Sequence, residues 1–80
     1  MRLPRDISAQ ELIKSLQKLG YVVTRQKGSH IRLTTTNSGQ HHLTIPNHNT
    51  LKLGTLSSII GDIAAHFKQT KEEIAEKLFG

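Results

Sequence analysis

Apolar positions along this chain change period from helical to alternating and back, and each change marks an element. Leu12, Ile13, Leu16 and Leu19 recur at helical spacing and form one stripe. Ser8 followed by Glu11 reads as a capping box that starts this helix, with Ile7 and Leu12 placed to form a hydrophobic staple. Gly20 ends it, because glycine enters the left-handed C′ conformation without steric cost. Residues 1–7 carry no pattern and are expected to form an irregular lead-in.

Alternation follows. Residues 21–25 are rich in β-formers and predict a short strand, whose facing stays open between Tyr21/Val23/Arg25 and Val22/Thr24. Residues 26–29 are expected to turn the chain. In the next strand, residues 30–36, Ile31 and Leu33 face one way while His30, Arg32 and Thr34 face the other. Asn37, Ser38 and Gly39 make a hairpin connection. A third strand over residues 40–45 turns Leu43 and Ile45 inward with His41, and His42 and Thr44 outward; Pro46 stops it or sits at its end.

Residues 47–53 read as a polar loop, and Thr55 as the cap of a second helix. Leu56, Ile59, Ile60, Ile63 and Phe67 give that helix the most apolar face in the chain. Gly61 inside it marks a place where another element can come close. Thr70 followed by Glu73 is a second capping box and opens a short last helix with Ile74, Leu78 and Phe79. Three antiparallel strands with one apolar face require helices over that face. The expected fold is therefore an α+β two-layer sandwich whose other sheet face is uncovered. Eighty residues predict a single domain, 1–80, with a small core.

Charge changes the picture more than composition does. The chain has 11 Lys plus Arg against 6 Asp plus Glu. No acidic residue lies between Glu11 and Asp62, an interval that holds Lys14, Lys18, Arg25, Lys27, Arg32 and Lys52, and also His30, His41, His42 and His48. A field of one sign over the middle of a small protein favours a polyanion. The absence of cysteine excludes disulfides and thiolate metal sites. No apolar stretch approaches the ~20 residues of a membrane span, and no signal peptide opens the chain, so a cytoplasmic protein with no membrane partner is expected. Tyr21, Phe67 and Phe79 are the only aromatics, which leaves few platforms for base stacking.

The candidate chemistry centres on residues 27–33, Lys-Gly-Ser-His-Ile-Arg-Leu. His30 is sent to the solvent side of a strand beside cationic side chains. His41 and His42 point to opposite faces and cannot chelate one ion together, no metal-ligand spacing stands out, and no cofactor is implied. Ser29 next to His30 lacks a nearby carboxylate to orient a nucleophilic pair. What fits is cleavage of RNA by its own 2′-hydroxyl, where the substrate carries the nucleophile. The protein then needs a histidine for proton transfer and cations for the phosphate. His30 is the candidate for the first, and Lys27, Arg25 and Arg32 for the second. His48 and Lys52, with the amides of the following helix start, are further candidate contacts.

An ordered set of features carries a resemblance. It comprises the helix with Leu12 and Leu16 ending in Gly20-Tyr21, then Lys27-Gly28-Ser29-His30, then Leu43-Thr44-Ile45-Pro46 followed by His48. Leu53-Gly54-Thr55-Leu56 with Ile59 and Ile60 completes it. In these the chain resembles the HicA-type (YcfA-like) mRNA interferase toxins of toxin–antitoxin systems, over nearly its whole length. The resemblance implies a double-stranded-RNA-binding-domain-like α-β-β-β-α fold and a metal-independent ribonuclease that cuts mRNA. It makes His30 the catalytic residue and Gly28 and Ser29 the turn of the RNA-binding site. It also implies a HicB-type antitoxin that covers the His30 region, with operator DNA bound only through the toxin–antitoxin complex. The alternative is a non-catalytic RNA- or DNA-binding module of the same fold, because binding and cutting phosphate ask for the same charges.

Overall fold

The computed structural model of the protein describes residues 2–80. Its first helix, α1 (Ala9–Leu16), begins where the capping box places it: the Ser8 hydroxyl accepts from the Glu11 amide at 3.1 Å, and the Glu11 carboxylate accepts from the Ser8 amide at 3.0 Å. A single 3₁₀ turn, Gln17–Leu19, tightens its end. The Tyr21 amide then reaches back to the Leu16 carbonyl at 3.2 Å and the Gly20 amide to Gln17 at 3.0 Å, a Schellman ending with Gly20 left-handed at φ +83°. Gly20 is needed twice, because a Cβ there would collide with Asn37 Nδ2 and lie 2.9 Å from Thr35 Oγ1.

Three antiparallel strands follow, β1 (Val22–Lys27), β2 (His30–Thr35) and β3 (His41–Pro46), in the order β1-β2-β3. α2 (Leu53–Phe67) and α3 (Lys71–Phe79) close the chain. This is the double-stranded-RNA-binding-domain-like α-β-β-β-α layout with an extra C-terminal helix. The inward residues Ile31, Leu33, Leu43 and Ile45 meet Leu12 and Leu16 of α1, Leu56, Ile60 and Ile63 of α2 and Ile74 and Leu78 of α3 in one buried cluster. Truncating any of them to alanine costs about 2–5 kcal/mol, a large share of the ~5–15 kcal/mol that holds a domain together. Thr35 is the buried polar residue of the sheet; its hydroxyl donates to Leu19 O at 2.9 Å and accepts from the Asn37 amide at 3.1 Å.

Several expectations are corrected. Residues 26 and 27 do not turn the chain: β1 runs to Lys27, and Gly28-Ser29 alone make the turn, because Lys27 is paired with His30. β3 covers residues 41–46, one residue later than expected, and Pro46 sits at its end, the second of the two places expected for it, as the partner of His30. Pro46 is tolerated there because β3 is an edge strand. Thr55 is not a cap but lies within the first turn of α2; Lys52 takes the N-cap position without a side-chain bond. The loop before α2 is not wholly polar, since Leu51 is buried, and its amide donates to Ile7 O at 2.8 Å. The lead-in is thereby tied to this loop.

Other expectations hold. Thr70 and Glu73 form the second capping box, with bonds of 2.9 and 3.1 Å. Gly61 does receive a close neighbour: a Cβ there would lie 3.1 Å from Lys71 Cε, and Lys71 Nζ donates to Ser57 Oγ at 2.9 Å. That contact joins α3 to α2.

Candidate functional site

The uncovered face of the sheet is built by register. Ile31, Leu33 and Thr35 of β2 are buried, so alternation turns His30, Arg32 and Thr34 outward. Cross-strand pairing then sets their neighbours. Lys27 lies opposite His30, and Arg25 opposite Arg32. On the other side His30 is paired with Pro46, Arg32 with Thr44 and Thr34 with His42. The register shift between Val23 and Arg25 puts Arg25, rather than Thr24, opposite Arg32, and alternation then keeps Lys27 on the same outward face. The open question of how β1 faces is answered by this bulge: Tyr21 is buried ahead of the strand, while all six strand residues are exposed.

The turn before His30 is anchored. Gly28 has φ +57°, which with Ser29 fits the two-residue II′ hairpin connection. The Ser29 carbonyl accepts from the Asn47 amide at 2.7 Å. The His48 carbonyl accepts from the Ala9 amide at 3.0 Å, one of the free donors of the α1 start. One corner therefore gathers the turn, the end of β3 and the 47–48 segment around His30. Its imidazole is exposed, as are Lys27, Arg25 and Arg32.

Lys52 belongs elsewhere. It immediately precedes Leu53 and Gly54, which line a cleft with Arg2, Leu3, Arg5 and Ser57. Periodicity passes over Arg2 and Arg5 because the lead-in has no period; two arginines beside Pro4 are the one signal the sequence holds for them. Nor does periodicity single out Asn47, although that residue holds the turn. The His30 corner is open to solvent. The acid nearest in sequence, Glu11, is the capping carboxylate of α1, and the Ser8 amide and hydroxyl hold it below the ordinary carboxylate range.

The remaining histidines divide between the two faces. His42 lies on the open face, where Nδ1 is 2.8 Å from Thr34 Oγ1, itself 3.0 Å from Thr24 Oγ1. His41 points inward and stacks on His66 of α2, with ring centroids 4.5 Å apart and planes at 10°. Its Nδ1 is 2.7 Å from the Tyr21 hydroxyl. Burial, and then the charge of His66, hold His41 below the ordinary imidazole value. Burial also pushes the Tyr21 hydroxyl up to about 12. Tyr21 thus keeps its proton, and its hydroxyl stays hydrogen-bonded to the His41 ring. Among the described residues, no three His, Asp or Glu side chains are grouped to hold a metal ion.

Fold and face together define a small, basic α+β protein that presents two histidines and three cations on an uncovered three-stranded sheet. Residues 9–70 match the family described as HicA toxin of bacterial toxin-antitoxin, and the chain belongs to that family. It is accordingly the toxin of a toxin–antitoxin pair, with an antitoxin as its partner. No curated protein and no solved structure matched it. No helix among the described residues is long and apolar enough to cross a membrane.

Proposed function

We propose that this toxin is an endoribonuclease, an mRNA interferase whose residues 1–80 act as one domain. The carrying observation is the rung structure of the open face: His30 opposite Lys27, with Arg25 opposite Arg32 on the same face. In the reaction the 2′-hydroxyl of the substrate attacks the adjacent phosphorus. A new 2′-O–P bond forms, the P–O5′ bond breaks, and the products are a 2′,3′-cyclic phosphate and a 5′-hydroxyl. His30 exchanges the proton in this step, taking it from the 2′-hydroxyl and returning it to the 5′-oxygen that leaves. Lys27 and the arginine pair offset the charge that grows on the phosphorus oxygens. Gly28 and Ser29 hold the turn, and His48 borders the site from the anchored loop. Lys52 serves a phosphate farther along the chain. The chemistry requires no metal, and DNA, which lacks the 2′-hydroxyl, is bound without being cut.

A HicB-type antitoxin neutralises the toxin by covering this face, and operator DNA is met only through the complex. Charge pairing makes that binding salt-sensitive. The test is induced expression of wild type and His30→Ala in cells, followed by mapping of RNA ends. The expected result is growth arrest and new 5′-hydroxyl ends with wild type alone. Arrest that survives the substitution removes His30 from the mechanism, and RNA binding without new ends leaves a non-catalytic binding module.

A further inference from the structure

We propose that the open face carries a second subsite, built by His42, Thr34 and Thr24, which takes a base of single-stranded RNA beyond the nucleotide at His30. The inference rests on the reading of His30 as the cutting end. Thr34, the cross-strand partner of His42, lies four residues along β2 from His30, roughly 13 Å away on the same face. His42 is thus too far to act on the same phosphate. Between the two ends lie Arg25, Arg32 and Thr44, all exposed. A chain laid along β2 would meet His30, then the arginine pair, then His42.

The hydrogen bonds at the far end have a direction. The Arg32 carbonyl can only accept, and Thr24 Oγ1 donates to it at 3.4 Å. Thr24 Oγ1 is then free to accept from the Thr34 hydroxyl at 3.0 Å, and Thr34 Oγ1 to accept from His42 Nδ1 at 2.8 Å. With this direction, Nδ1 of neutral His42 carries the proton and Nε2 is left as an oriented acceptor at the surface. Two threonines on two strands hold an otherwise exposed ring.

An acceptor of this kind suits an amino or imino N–H on a base edge. In a duplex those donors are consumed by pairing, and the deep A-form major groove is closed to side chains. In a single strand they are available. The face offers no Phe or Tyr platform, because Tyr21 is buried and Phe67 and Phe79 pack against the core, and its only rings are the imidazoles of His30 and His42. The oriented Nε2 of His42 supplies the hydrogen bond to the base, with phosphate charge held by the arginines between.

The test uses the His30→Ala protein, which binds without cutting, titrated with a single-stranded dinucleotide, a single-stranded pentanucleotide and a blunt RNA duplex. The pentanucleotide should bind more tightly than the dinucleotide, and the duplex no more tightly than the pentanucleotide. Adding His42→Ala should weaken the pentanucleotide roughly threefold to tenfold, the worth of one hydrogen bond, and leave the dinucleotide unchanged. Thr34→Val, which keeps the shape of the strand but frees the ring, should remove a smaller part. Nitrogen NMR should show His42 protonated at Nδ1. Full pentanucleotide affinity in the His42→Ala protein overturns the subsite, as does a preference for duplex. Loss of antitoxin affinity with RNA affinity intact also overturns it, in favour of a protein-docking face. Cleavage is read separately on wild type: no RNA ends with the His42 effect intact removes the cutting assignment and leaves the subsite.

Discussion

Arg25 lies directly opposite Arg32 across the β1–β2 ladder, on the face that no helix covers. Like charges in that position repel, so the pair costs stability in the free protein and is relieved by an anion. Replacing either arginine with threonine should raise the unfolding free energy by about 0.2–1 kcal/mol. Urea denaturation reads that change. The same variants should bind RNA more weakly, with the slope of log K against log salt reduced by about 0.7 for each phosphate no longer neutralised. A variant that is less stable and binds RNA as wild type does would show that the pair is structural.

Acid should loosen the fold in two stages. His41 titrates below its ordinary value of 6.5, chiefly because it is buried and then because His66 faces it, with His42 adding slightly and Asp62 opposing. The unfolded chain therefore binds the proton first. The stability this group contributes is complete above pH 6.5 and is lost as pH falls from there through the lowered folded value. Glu11 and Glu73 titrate below 4.5, held down by the cap amides and hydroxyls, so their contribution is complete above 4.5 and is lost at more acid pH. Melting temperature followed from pH 8 to pH 3 should show both steps. The upper step should flatten in His41→Gln, and an unaltered upper step there places its origin elsewhere.

Lys68 closes α2 in the left-handed conformation at φ +56°, with the Gln69 amide reaching Ala64 O at 3.0 Å. It fills the role that Gly20 fills after α1. A side chain in that conformation costs about 1–2 kcal/mol, part of which glycine gives back through its freer unfolded state. Lys68→Gly should stabilise the protein by about 0.5–1 kcal/mol, visible as a higher urea midpoint with an unchanged slope.

Gly20→Ala should do the reverse, and by more. The left-handed backbone penalty adds to a collision with Asn37, whose Nδ2 donates to Leu19 O at 3.0 Å in the same corner. A loss of at least about 2 kcal/mol is expected, enough to lower the melting temperature by several degrees. Thermal unfolding of the two C′ variants side by side separates the backbone effect, common to both positions, from the crowding, present only at Gly20.

Much of the fold is legible in the sequence because its signals are local. Both capping boxes and the apolar stripes of α1 and α2 act within a few residues, and the structure keeps them. Alternation in residues 30–35 is enough to place His30, Arg32 and Thr34 on one face. The differences arise from contacts made across the chain. Gln26 and Lys27 are poor β-formers and by residue type suggest a turn, yet pairing with Ile31 and His30 carries β1 through them. Thr55 has the residue type of a cap, whereas the path of the chain from buried Leu51 starts α2 at Leu53.

The sequence by itself determined the element order, the inward faces and the acid-free stretch that makes the middle of the protein cationic. These follow from periodicity and charge, which are properties of neighbours in the chain. Tertiary structure alone decided who stands opposite whom. The β1 bulge sets Arg25 against Arg32, the register sets Lys27 and Pro46 against His30, and the Asn47 bond to Ser29 fixes the turn between them. The two-residue turn pairs Lys27 with His30, but it forms only once β1 runs through Gln26 and Lys27, and the bulge beyond it shifts the later pairings by one residue; both depend on hydrogen bonds and packing across the sheet rather than on residue type.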